Sequence, residues 1–224
     1  MRHKPASANT TKKSVVILIS GRGSNMQALL EANLECCRVA AVISNKADAS
    51  GLDIARQHGI DTQIVVHRDY PDRESFDTAL ATVIDRYHPD LVVLAGFMRI
   101  LTAGFVAHYQ GRLINIHPSL LPAYAGLDTH ERALKDGVKI HGCTVHFVTP
   151  DLDHGPIIIQ AAVSVLVDDT PATLAERVLR EEHRIYQQAV YWLCSGHLNL
   201  GADGKVSLNR LKQPGATLIT PGLE

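Results

Sequence analysis

The sequence predicts a doubly wound α/β fold: a mostly parallel sheet flanked by helices, followed by a short C-terminal β-hairpin. Three observations predict it. Five short apolar runs are rich in Val and Ile, and three of them stop at a Ser-Gly, Ser-Asn or Gly turn signal. Helical patterns lie between them. After about residue 140 the pattern changes to two longer strands and a closing helix. Strands apolar on both faces belong to buried parallel sheets, and their alternation with helices is the mark of a wound sheet.

The runs are Val15–Ile19, Val39–Ile43, Ile64–Val66, Leu91–Ala95 and Leu113–Ile116. The first is stopped by Ser20-Gly21, the second by Ser44-Asn45 and the fourth by Gly96. Met26–Ala32 opens a helix. From Arg73 to Tyr87, the residues Phe76, Ala79, Leu80, Val83, Ile84 and Tyr87 recur at helical spacing, and His88-Pro89 closes that segment. His141–Phe147 and Ile157–Val167 read as strands joined by the polar loop Thr149–Gly155. Leu174, Val178, Ile185, Ala189 and Leu193 mark one face of a long helix over Ala172–Cys194. Leu198–Leu200 and Val206–Leu208, joined through Ala202-Asp203-Gly204-Lys205, give the hairpin. The expected organisation is a flexible extension over 1–12, one domain over 13–211 and a loosely ordered tail over 212–224. That domain divides into an N-terminal half, 13–112, which carries the glycine-rich turn, and a C-terminal half, 113–211.

Composition narrows the partners. With 22 Lys+Arg against 23 Asp+Glu the net charge is -1, so no overall positive field exists to release counterions from a nucleic acid. An anionic ligand must be held by local donors. No apolar run approaches the roughly 18 residues of a membrane span, and the polar start has no signal-like apolar stretch, so a cytoplasmic protein is expected. The four cysteines, Cys36, Cys37, Cys143 and Cys194, show no zinc spacing and read as buried or half-buried thiols.

The first strand runs into Gly21-Arg22-Gly23-Ser24-Asn25 and then a helix. Such a turn offers free backbone N–H groups and a positive dipole end to an anion. A dinucleotide fingerprint would need a third Gly where Met26 stands and an acid ending the second strand, where Asn45 stands. A monophosphate cradled by Gly23, Ser24 and Asn25 fits better; a plain turn in which Ser24 or Asn25 caps the helix is the other reading.

Asn115 and His117 close the fifth run just before Pro118. In a strand they point to one side, and at the C-terminal end of a parallel strand they stand where ligands bind. An amide beside an imidazole can stabilise an oxyanion and move a proton, although a strand-end His is also commonly structural. Asp153, in Asp151–Pro156, offers a carboxylate that would favour the imidazolium of His117; a solvated turn explains the same residues. No EF-hand pattern fits this loop. His141 and His146 lie five apart on a strand and so face opposite sides; His117 and His130 can meet, but nothing completes three metal ligands.

The motifs Leu18–Asn25, Val42–Ala49, Leu94–Leu101, Asn115–Pro122 and Gly142–Gly155 together resemble the folate-dependent glycinamide ribonucleotide formyltransferases of purine synthesis. The resemblance runs from about Val15 to Leu208. It implies the formyltransferase fold, with a Rossmann-like N-terminal half over 13–112 that binds phosphate and a C-terminal half over 113–211 that binds folate and carries the catalytic residues. It implies transfer of the formyl group of 10-formyltetrahydrofolate, as co-substrate and without a metal, to the amine of 5'-phosphoribosylglycinamide. The partners are then these two small molecules, with no nucleic acid and no membrane, and the protein a monomer or homodimer. By the same resemblance Asn115, His117 and Asp153 are the catalytic set. Gly23, Ser24 and Asn25 hold the substrate phosphate, and Glu182 contacts its ribose. Arg73, Met98, Arg99, Ile100, Leu101 and Asn115 bind the folate, with the loop Thr149–Asp153 facing the pterin. Ala125, Asp128 and His154 depart from the usual family pattern. A formyltetrahydrofolate hydrolase is the alternative; such enzymes place a regulatory domain first, and only residues 1–14 precede Val15 here. A tRNA formyltransferase would want a further domain and a basic surface, and a non-catalytic phosphate-binding module has no use for the catalytic set.

Overall fold

A computed structural model describes residues 12–201 and 203–209. Apart from Lys12, the expected extension and the tail 212–224 lie outside the described residues. Nine strands and six α-helices are described: β1 Lys13–Ile19, α1 Ser24–Glu31, β2 Cys37–Ser44, α2 Gly51–Gln57, β3 Asp61–Ile64, α3 Arg73–Asp85, β4 Leu91–Leu94, α4 Ala103–His108, β5 Leu113–His117, α5 Thr129–Asp136, β6 Ile140–Phe147, β7 Ile157–Ser164, α6 Pro171–Cys194, β8 Leu198–Leu200 and β9 Val206–Leu208. Seven strands form one sheet in the order β3-β2-β1-β4-β5-β6-β7, and β8-β9 form the separate hairpin. β1 to β5 run parallel, whereas β6 pairs antiparallel with β5 and with β7. The strand order reverses at β1 and β4, which is where a wound sheet opens a crevice.

Alternation along the strands sorts the core into two layers. Val15, Ile17 and Ile19 of β1, with Val93, Ile114 and Ile116, join Met26 and Leu29 of α1, Leu52 of α2 and the apolar face of α6. Val16, Leu18, Val92, Leu94 and Leu113 join Phe76, Leu80 and Ile84 of α3 and Phe105 and Tyr109 of α4. Each buried Val, Leu or Ile contributes roughly 1.5–3 kcal/mol, so a one-residue slip in any central strand would exchange the two layers and is strongly resisted. The second layer contains no buried residue of β6 or β7. On that side the face of β5 and β6 is left to polar side chains and covered by loops.

Two boundaries differ from the sequence reading. The third strand lies at Asp61–Ile64, before the apolar run: pairing with Ala41–Ser44 decides this edge strand, while Val65 is buried against Phe76 and its neighbours. The seventh ends at Ser164. Leu166 to Asp169 form a turn, closed by the Leu166 N–H on Asp169 Oδ2 at 2.8 Å, and this leaves Val167 fully in solvent. Cys37 and Cys143 are buried, Cys36 and Cys194 half-buried, and all four are free thiols.

Candidate active site

Gly23 makes the first loop possible. It is the N-cap of α1 in the left-handed region, at φ 73°, and a Cβ there would stand 2.9 Å from Met26 Cε and 3.1 Å from Gly51 Cα. No side chain caps α1, so neither Ser24 nor Asn25 takes the alternative capping role. The N–H groups of the first turn therefore lack a side-chain partner, at the positive end of the helix. The Asn25 amide instead donates to Glu182 Oε2 at 2.7 Å, joining the loop to α6 across 157 residues. Asn25 Oδ1 is buried without a partner. Burial pushes the Glu182 carboxyl above its usual range, against the opposing Asn25 hydrogen bond. The structure thus assembles Gly23, Ser24, Asn25 and Glu182 into one polar socket.

Asn115 and His117 share the face of β5 opposite Ile114 and Ile116. Across the antiparallel ladder Asn115 stands beside His146 and His117 beside Thr144. The Asn115 amide nitrogen is 3.2 Å from His146 Nε2. His146 Nδ1 is 2.9 Å from the Phe147 carbonyl, which can only accept, so Nδ1 carries the proton and Nε2 accepts from Asn115. Burial pushes the His146 pKa down, with the Phe147 carbonyl and Asp153 opposing, and this favours the neutral ring. His117 Nε2 donates to the Tyr124 carbonyl at 2.9 Å. Its Nδ1 faces Asp153 Oδ2 at 3.5 Å, and Asp153 Oδ1 lies 3.8 Å from His146 Nε2. The His117 and Asp153 side chains are only 7% and 8% exposed.

Asp153 reaches this face from the loop after β6. Its backbone is left-handed, at φ 55°, and its carboxylate accepts the Gly126 N–H at 2.8 Å. Close packing of Gly155 on Phe147 folds the loop back: a Cβ there would lie 1.7 Å from the Phe147 carbonyl oxygen. The facing loop is pinned by Thr144, whose hydroxyl donates to the Ser119 carbonyl at 2.7 Å and accepts from Leu121 N–H at 3.1 Å. Ala125, Asp128 and His154 place no charged side chain on this cluster's hydrogen bonds. The Ala125 carbonyl accepts from Arg132 at 2.7 Å, Asp128 begins α5, and the exposed His154 turns back to the Leu152 carbonyl at 2.7 Å.

His146 was given only a facing direction by the sequence, not a role. Its signal is period two: Gly142, Thr144 and His146 share one face of β6, while Cys143, Val145 and Phe147 enter the core on the other. His141 indeed faces away from His146 and meets His130, Nε2 to Nδ1 at 3.2 Å.

A cleft of about 800 Å³ opens among the segments after β3 and β4, and none of the four cluster residues lines it. Its walls include His67, Arg73, Arg99, Ile100, Leu101 and Pro150. Arg73, at the start of α3, is exposed; Arg99 lies over the Phe76 ring, 5.4 Å from its centroid, with Nε buried and unpartnered. Met98 points outward, 68% exposed, and is not among the lining residues of this cleft. The walls come from residues 67–103 together with Pro150, so both halves of the chain build them.

A helix N-terminus without a side-chain cap beside Glu182, a buried amide–imidazole–carboxylate cluster two strands away and a roomy cleft are together the features of an α/β enzyme. The described residues contain no helix long and apolar enough to cross a membrane. The comparisons then fix the family. The profile of the formyl transferase family matches residues 13–190, and the chain belongs to that family, whose members are transferases. It is 51% identical over 190 residues to the phosphoribosylglycinamide formyltransferase of Escherichia coli, covering 84% of this chain and 90% of that one. It is 48% identical over 198 residues to the human trifunctional purine biosynthetic protein adenosine-3, covering 87% of this chain but 20% of that protein. A solved structure of phosphoribosylglycinamide formyltransferase from Coxiella burnetii superposes with a TM-score of 0.85 at 50% identity, covering 89% of this chain and 94% of that one.

Proposed function

We propose that this chain transfers the formyl group of 10-formyltetrahydrofolate to the amine of 5'-phosphoribosylglycinamide, giving the N-formyl product and tetrahydrofolate. One observation carries the reading: the Asn115–His117–His146–Asp153 cluster stands two strands from the Asn25–Glu182 socket. β1, β4 and β5 are neighbours, so the two sites are separated by roughly 10 Å, the span of a ribose phosphate with a short side arm. The socket takes the phosphate on the N–H groups of Gly23–Asn25 and the ribose on Glu182. The cleft takes the folate, with Arg73 and Arg99 for its carboxylates, Ile100 and Leu101 for its rings, and Met98 and Asn115 at its edges. Residues 13–211 act as one domain on two small molecules, in the cytoplasm.

The neutral amine attacks the formyl carbon and the carbonyl oxygen becomes an oxyanion. One Asn115 amide hydrogen is held by His146, which leaves the other free to donate. The 3.5 Å between His117 Nδ1 and Asp153 is long for a hydrogen bond, so a protonated His117, anchored through Nε2 on the Tyr124 carbonyl, can present Nδ1–H to the oxyanion with the carboxylate alongside. Each donor of this kind is typically worth ~3–4 kcal/mol of barrier. Collapse expels N10 of the folate, which takes up a proton as the amine loses one. Asp153, 3.5 Å from His117 Nδ1, orients the ring through this exchange.

The test is acceptor dependence. Purified protein should consume 10-formyltetrahydrofolate only when the phosphoribosylglycinamide is present. Equal turnover with water alone would replace the transferase with the hydrolase.

A further inference from the structure

The segment Val42–Ala49 stands out in the sequence, yet the chemistry above does not use it. Its Ser44-Asn45 ends β2 where a dinucleotide enzyme would carry a ribose-binding acid. The structure gives Asn45 other work. Asn45 is 1% and Ser20 5% exposed, and the Ser20 hydroxyl donates to Asn45 Oδ1 at 2.6 Å. That bond fixes the hydroxyl rotor. One Ser20 lone pair then accepts the backbone N–H of Met98 at 2.8 Å. Beside it, the Ser20 N–H donates to the Gly96 carbonyl at 3.2 Å. Asn45 also holds a second wall of the cleft, for its carbonyl lies 2.9 Å and its side-chain amide nitrogen 3.3 Å from His67 Nδ1.

Resting on the function just proposed, we infer that Ser20 and Asn45 are positioning residues that hold segment 97–101 in register to receive the formyl donor. The arrangement is economical. Segment 97–101 follows β4 as an irregular loop, so no ladder hydrogen bond fixes Met98. Gly96, in the left-handed region at φ 74°, lets the chain turn there and leaves it free to turn elsewhere. Among the described residues the Met98 N–H is held by the Ser20 hydroxyl, while the Arg99 N–H turns back on the Phe97 carbonyl at 3.0 Å. Ser20 also adjoins Gly21, but it touches the phosphate loop through the chain alone, so its loss should be felt at the donor side.

Full-length Ser20→Ala, Asn45→Ala and Asn45→Asp should be compared by steady-state kinetics, varying each substrate in turn, alongside thermal melts. Loss of a buried hydrogen bond that orders a binding wall should raise the KM for 10-formyltetrahydrofolate about tenfold in Ser20→Ala and Asn45→Ala, with kcat and the acceptor KM within about twofold. Asn45→Asp keeps an acceptor for Ser20 and should return the donor KM to within about threefold of wild type. A merely structural role would not produce this split or this rescue. Equal rises in both KM values, a fall in kcat with donor KM unchanged, or an Asn45→Asp variant as weak as Asn45→Ala would each overturn the inference. Should Ser20→Ala fail to fold, the two Asn45 variants decide alone. Absence of transfer by wild type would overturn the function and this inference with it; a normal wild type with unsplit variants would overturn this inference only.

Discussion

Gly155→Ala tests the catalytic geometry without touching a reacting group. The added methyl would sit 1.7 Å from the Phe147 carbonyl oxygen, 2.8 Å from its carbon and 3.2 Å from Thr149 Cγ2, where real Cβ atoms essentially never come within 3.0 Å of a neighbour. Phe147 belongs to β6 and is locked in the sheet, so the loop must back away by more than an ångström. The Phe147 N–H bond to the Pro156 carbonyl, 2.9 Å, lies beside the clash, and its loss costs about 1 kcal/mol of stability. The larger effect is on Asp153, two residues earlier, whose carboxylate is held 2.8 Å from Gly126 N and 3.5 Å from His117 Nδ1. A displacement of this size typically costs about 100-fold in rate, or about 2.7 kcal/mol of barrier. The assay is acceptor-dependent formyl transfer with a melt on the same sample. We expect kcat to fall about 100-fold with the acceptor KM within about threefold, because the socket of Asn25 and Glu182 lies on other elements. Asp153→Asn should lose kcat strongly as well, and adding Gly155→Ala to it should cost nothing more, since both act through one carboxylate. A folded Gly155→Ala enzyme with near-normal kcat, or a double variant much worse than Asp153→Asn, would refute the argument.

Three further outcomes follow from the geometry. Glu182→Ala leaves the buried Asn25 amide unpaired and should raise the acceptor KM by about tenfold or more while the donor KM holds, as read by initial rates. Arg177→Ala removes a bidentate partner, at 2.6 and 2.7 Å, from an Asp169 carboxylate only 3% exposed, and should lower unfolding free energy by about 2 kcal/mol in urea titrations at pH 7. The Arg177 guanidinium depresses the Asp169 pKa, so this contribution is present above the ordinary carboxylate range and is lost as pH falls below it. His141, 1% exposed, has its pKa pushed down to about 4, by burial first and then by the neighbouring His130. The unfolded chain takes up that proton near pH 6.5 and the folded one resists it, so stability should fall by roughly 3 kcal/mol as pH drops from 6.5 to 4. A His141→Gln variant should show a flatter dependence, and an equally steep one would remove His141 as the cause.

Much of this was legible in the residues. The central strands were readable because a strand buried on both faces must be apolar throughout, as Val15–Ile19 and Leu91–Leu94 are. Asp61–Ile64 was not, because an edge strand is chosen by its backbone partner and carries polar residues. The short helices Gly51–Gln57, Ala103–His108 and Thr129–Asp136 escaped individual notice: fewer than three turns display too little of a period. Asn115 and His117 could be paired from sequence by strand alternation alone. His146 could not be joined to them, since its contact crosses a strand pair 31 residues apart.

The sequence by itself determined the layered sheet, the glycine-rich turn ahead of the first helix and the near-zero net charge that rules out a global field for an anionic ligand. These depend on local propensity, periodicity and composition. Only the tertiary structure decided that Glu182 meets Asn25, that Asp153 folds back to His117, and that Asn45 restrains Met98 through Ser20. Such contacts are set by strand order and loop packing, and hydrogen bonds between distant residues leave no periodic trace along the chain.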